Sequence, residues 1–134
     1  MFQGLLVTKK ALEKIGYLDE KIVSYQEWDT AIRLAKHFSF GFVPESTYLY
    51  DCRGNDTISK QLIRQGVGIE QIIKKHVLAM FWIAGPYAVI AHYETAARWY
   101  AMGQDQKSER RCKRLAGWYK LLRPSSYYHR PHAV

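Results

Sequence analysis

From Gly66 to Leu122 the apolar residues recur every three or four positions, and two short breaks divide the run into three amphipathic stretches. Ile69, Ile72, Ile73, His76, Val77, Met80 and Phe81 trace one helical face. Gly85-Pro86 ends that face, because a glycine followed by a residue without an N–H interrupts the helical hydrogen-bond ladder. Val89, Tyr93, Ala96, Ala97 and Tyr100 trace a second face, closed by Gly103-Gln104-Asp105. Cys112, Leu115, Ala116, Tyr119 and Leu122 trace a third, which Arg123-Pro124 stops. The spacing predicts helices over 68–84, 87–102 and 106–122, the last two folded into an αα-hairpin.

The first half has mixed character. Gly4-Leu5-Leu6-Val7 reads as a buried strand, and Thr8 as the N-cap of a short helix over 9–15, with Gly16 placed to end it. After the turn Tyr17-Leu18-Asp19-Glu20, a second helix over 27–37 would turn Trp28, Ala31, Ile32 and Ala35 inward. Phe38, Phe40 and Phe42 alternate with Ser39 and Gly41, the period of a strand buried on one face, and Tyr48-Leu49-Tyr50 is a further strand candidate before the loop Asp51 to Asp56. The expected architecture is therefore α/β: short strands and helices over 1–65, a helical extension over 66–124, and a tail over 125–134. With 134 residues and 48% hydrophobic content, this is one unit of ordinary size.

The formal charge of +8 is unevenly spread. Residues 98–134 carry nine Lys or Arg against Asp105 and Glu109, so the first 97 residues are close to neutral. A basic C-terminal helix can be a solvated face, or it can meet an anionic membrane, an acidic protein or nucleic acid through the same Coulombic attraction. Cys52 and Cys112 lie far apart without metal-ligand spacing, which suits a reducing, cytoplasmic setting. The uncharged run Val77 to Ala91 is interrupted by Gly85-Pro86 and falls short of the roughly twenty residues that span a bilayer. It is read as buried helix plus turn, with an interfacial membrane contact kept as an option.

Chemistry is concentrated in residues 16–33, where Asp19, Glu20, Glu27 and Asp29 gather beside one helix N-terminus. The helix dipole alone would favour Glu27 and Asp29 there. Asp29 and Arg33 are spaced to pair along the helix. Asp19 and Glu20 either form a solvated turn or accept hydrogen bonds from sugar hydroxyls. Trp28 either packs inward or stacks on a sugar ring. Arg53, in a Gly/Asn loop, either stays solvated or meets a diphosphate through its fork of donors. His37, His76 and His92 are expected to be packed rather than catalytic.

In order and spacing, Gly16-Tyr17-Leu18-Asp19-Glu20, Gln26-Glu27-Trp28-Asp29 with Arg33-Leu34, and Tyr48-Leu49-Tyr50 with Arg53 and Thr57-Ile58-Ser59 resemble the C-terminal part of the catalytic domain of family 2 glycosyltransferases. The later helices resemble the hairpin, similar to a tetratricopeptide unit, that some members carry after that domain. The resemblance implies part of a GT-A type domain that moves a sugar from a nucleotide-sugar donor to a sugar or lipid-linked acceptor hydroxyl. Glu27 stands where the family has its general base, usually an Asp, and a carboxylate there could take the proton of the attacking hydroxyl. Asp19, Glu20, Trp28 and Arg53 would be substrate-binding. Such enzymes hold a divalent cation, Mg or Mn, through a D-x-D segment, and this sequence contains none. The chain is thus expected to supply the acceptor side of the site and to be inactive alone.

The alternative from another class is a helical interaction module whose basic face binds an anionic membrane or protein partner, which would place the chain peripherally at a membrane. Nucleic acid is the least favoured partner, resting only on Tyr127, Tyr128, His129 and Arg130. Apolar residues around Leu5, Phe40 and Phe42, if left uncovered, would favour self-association.

Overall fold

The computed structural model describes residues 5–45 and 61–122. Four helices follow one another: α1 (Lys9–Lys14), α2 (Gln26–Ala35), α3 (Leu62–Met102) and α4 (Gln106–Leu121). Helix makes up 71% of the described residues, and no strand is present among them. The chain is therefore all-helical over this range, which corrects the α/β architecture with short strands expected from the sequence.

The reason lies in what a strand needs. Residues 5–8 and 38–43 line one open cleft beside Ala11 and Leu34, yet no backbone ladder joins them. Alternation supplies a face, but a strand is stable only when neighbouring strands satisfy its N–H and C=O groups. Without them Leu6, Phe40 and Phe42 stand exposed. The strand expected over 48–50 lies outside the described residues.

The helical half is longer than its periodicity suggested. α3 starts at Leu62 and bends back on itself at Gly85, whose φ of 76° and ψ of 175° are non-helical. That combination is essentially reserved to glycine, and the extended ψ suits a following proline. Two arms, residues 62–84 and 86–102, result. They run antiparallel: the Tyr100 hydroxyl donates to Glu70 Oε1 at 2.8 Å, and the Tyr100 ring lies against the backbone of Gly66.

α4 then packs on α3, its first turn capped by Asp105, which accepts from the Ser108 N–H at 3.0 Å. Ile69, Ile73, Val89, Ile90, Tyr93, Ala96, Ala97, Tyr100, Cys112 and Ala116 form the shared core. Tyr93 and Tyr119 stack across the α3–α4 seam with ring centroids 6.0 Å apart. Leu122, expected on the inner face of α4, is exposed; α4 ends at Leu121 and Leu122 is its C-cap.

α1 is a single short helix with no buried residue; Thr8 caps it by accepting from the Ala11 N–H at 3.2 Å, and Gly16 follows in the left-handed region. In α2 the inward face differs from the expected one. Asp29, Thr30 and Leu34 are buried, whereas Trp28 and Ala35 are exposed. The helix is rotated because Asp29 finds the donors Lys75 and His76 on α3, and a carboxylate so paired can be buried at the expense of an indole that water tolerates.

The hairpin geometry depends on one backbone conformation, so Gly85→Ala should cost about 1–3 kcal/mol of stability. Urea unfolding followed by circular dichroism would measure it. An unchanged midpoint would contradict the left-handed bend.

Candidate functional site

Residues 17–25 lie along the first arm of α3 and are strapped to it by polar side chains. The Val23 N–H donates to Gln71 Oε1 at 3.0 Å, and Gln71 Nε2 donates back to the Lys21 carbonyl at 2.9 Å. Arg64 Nε donates to the Val23 carbonyl at 2.7 Å, and Ser24 Oγ to Gln65 Oε1 at 3.0 Å. The approach is closest at Gly68, where an added Cβ would fall 2.6 Å from the Ser24 carbonyl oxygen. Only a residue without a side chain lets this loop lie so near the helix.

The strap continues into α2 through Asp29, which has no exposed surface. Its Oδ1 accepts from His76 Nε2 at 2.7 Å and from Lys75 Nζ at 2.8 Å, and its Oδ2 accepts from Arg33 Nε at 2.8 Å. A carboxylate acceptor demands the imidazole tautomer with its proton on Nε2. Lys75 also reaches Asp19 Oδ2 at 2.7 Å, while Asp19 Oδ1 accepts from the Lys21 N–H at 3.0 Å. Arg33 extends the network to the Ile15 carbonyl at 2.7 Å. One buried carboxylate thus joins α2, the end of α1 and α3.

The electrostatics agree with the geometry. Burial pushes the Asp29 carboxyl up, but hydrogen bonds from Lys75, His76 and Arg33 outweigh it and hold the group below the usual carboxylate range. Asp19 is lowered by Lys75 first and the Lys21 N–H second. Burial pulls Lys75 down, yet its two carboxylate partners leave it raised. Asp19 and Asp29 are therefore held ionised and occupied by cations, an arrangement suited to fixing a segment rather than accepting a proton.

The opposite side of α2 is open. Glu27 is exposed in the first turn and has no hydrogen bond or ion pair among the described residues; Glu20 is exposed in the preceding turn, likewise without one. Trp28 keeps 41% of its surface exposed. Its ring is tilted against Tyr25 with centroids 4.8 Å apart and meets the edge of His92 at 5.7 Å. An unpaired carboxylate and a supported aromatic face thus stand side by side. Arg53 lies outside the described residues.

A second buried carboxylate sits across the bundle. Glu70 Oε1 accepts from Tyr100 at 2.8 Å and from Arg111 at 2.5 Å, and Lys74 approaches Oε2 at 4.0 Å. Burial raises the carboxyl, but the hydrogen bonds from Arg111 and Tyr100 and the Arg111 charge leave it lowered. The Cys112 thiol, fully buried beside it, is pushed up to about 12 by burial and then by the Glu70 charge. It is inert as a nucleophile.

Among the described residues no three His, Cys, Asp or Glu side chains are grouped so as to hold a metal ion.

Sequence reasoning expected His76 to be packed, as it is, but missed its Asp29 partner together with Lys75, Gln71 and Glu70. His76 within the apolar series of α3, and Glu70 beside Ile69, were the signals: polar side chains at positions facing the core have partners. A scan against protein-family models and searches of curated proteins and of solved structures found no match.

Both buried carboxyls titrate lower in the folded chain than in the unfolded one. Their contribution to stability is present above the ordinary carboxylate range, about pH 4, and is lost as pH falls through the depressed values. Thermal unfolding should show a falling Tm below about pH 4, and a combined Asp29→Asn and Glu70→Gln variant should be less stable at neutral pH with a flatter acid dependence. A Tm that is independent of acid in the parent chain would contradict this.

Proposed function

We propose that residues 16–33, carried on α3, form the acceptor-facing side of a nucleotide-sugar-dependent glycosyl transfer, with the donor bound by other polypeptide. The observation that carries this reading is the pairing, on the first turn of α2, of the unpartnered Glu27 carboxylate with the exposed Trp28 ring. The ordered likeness of Gly16–Glu20, Gln26–Asp29 and Arg33-Leu34 to family 2 glycosyltransferases supports it.

In this role Trp28 stacks on the C–H face of the acceptor sugar, and Glu27 accepts the proton of the attacking hydroxyl as its oxygen bonds to the anomeric carbon. The bond to the nucleotide diphosphate breaks in the same step and the diphosphate leaves with the electron pair. Glu20 accepts a hydrogen bond from another acceptor hydroxyl, while Asp19, held by Lys75, fixes the turn that presents it. A cation at the donor phosphates would be held by the donor-binding polypeptide, and none of these steps passes through it.

The chain alone should not turn over. In the polypeptide that also carries the donor-binding elements, Glu27→Gln should lower kcat by roughly 10²- to 10⁴-fold, and Trp28→Ala should raise the acceptor KM. Near wild-type transfer by Glu27→Gln would refute the assignment of the base.

A further inference from the structure

Residues 76–93, which wrap the Gly85 bend of α3, contain no Asp, Glu, Lys or Arg. Much of that elbow faces solvent: Leu78 is 72% exposed, Trp82 77% and Ile83 86%. The C-terminal end of α4 lies beside it, since the Phe81 and Tyr119 rings have centroids 6.4 Å apart, and there Trp118 and Leu121 are also exposed. Two indoles and three aliphatic side chains thus crowd one end of the helical bundle.

The same exposed stripe of α4 changes character along its length. Lys107, Arg110, Arg114, Trp118 and Leu121 succeed one another at steps of three or four, so they share one helical face. The three cations are exposed and have no ion pair among the described residues, unlike Lys113 and Lys120, which are held by Glu109 and Glu94. A cationic stripe therefore leads directly into an apolar, Trp-containing end.

From this geometry we infer that the α3 elbow and the end of α4 dock this protein peripherally on an anionic lipid bilayer. Trp is favoured at the level of the headgroups, and aliphatic side chains just below it. Free Lys and Arg on the adjoining face complement the negative surface potential. Among the described residues no helix is long and apolar enough to cross a membrane. A second copy would leave the adjoining unpaired cations without a complementary charge, which an anionic surface supplies.

The test is co-sedimentation of the chain with phosphatidylcholine vesicles, with and without phosphatidylserine, read alongside tryptophan emission. Binding to the anionic vesicles, weakening with salt and accompanied by a blue shift, is expected. Trp82→Ser with Ile83→Ser should lower the partition coefficient at least tenfold, and Arg110→Glu with Arg114→Glu about tenfold or more. All four side chains are exposed, so the helical circular dichroism signal should be kept. No binding to anionic vesicles at low salt would overturn the inference, as would equal binding by both variants. So would a dimer that Trp82→Ser with Ile83→Ser abolishes while vesicles remain unbound, which would assign the patch to a second copy. None of these readouts depends on sugar transfer.

Discussion

Glu70 is a charge with 3% of its surface exposed in the middle of a helical arm, and a carboxylate so placed stays ionised only if other groups replace its water. Tyr100 comes from the second arm of α3 and Arg111 from α4, and both reach the same oxygen. Three helical segments are thus fixed in one arrangement by one side chain. The apolar core that surrounds it supplies the bulk of the burial, but apolar contacts tolerate sliding and rotation. The hydrogen-bonded charge does not, and removing Arg111 would strip the carboxylate of its close counter-charge.

Asp29 repeats this device between α2 and α3. Its bonds to Lys75 and His76 on α3 turn α2 so that the carboxylate is fully buried, while the Trp28 indole, beside His92, stays partly exposed. The proposed acceptor surface follows from that rotation. With Asp29 inside, Glu27 and Trp28 stand outward on the first turn, on a helix that Arg33 also ties to the end of α1. The rest of the segment is secured by side-chain to backbone bonds from Gln71 and Arg64, which do for an irregular loop what a ladder does for a strand, and by the ion pair of Lys75 with Asp19.

The helical half was legible in the sequence because periodicity and breakers coincided. The faces of the second arm of α3 and of α4 began with Val89 and Cys112 where the spacing placed them, and Gly85-Pro86 marked the bend. The start at Leu62 was not visible, since residues 62–67 carry little apolar pattern. In the first half, Thr8 and Gly16 marked the ends of α1 correctly. The alternating phenylalanines 38, 40 and 42 misled, because alternation cannot report whether partner strands exist. The face of α2 was misjudged for a related reason: an apolar moment ignores ion pairs and hydrogen bonds, and Lys75 and His76, which draw Asp29 inward, lie more than forty residues away on α3. Within the candidate site, the burial of His76 was legible from its place in an apolar series, while the exposure of Trp28 and the role of Lys75 became visible only once the chain was folded.

The central claim is that the segment bearing Glu27 and Trp28 is held to the helical body through Asp29. Amide hydrogen exchange, compared residue by residue between the parent chain and Asp29→Asn, tests it most directly. Faster exchange confined to residues 17–34, with α3 and α4 still protected, is the predicted result. Unchanged exchange over 17–34, or an equal acceleration throughout α3 and α4, would contradict it.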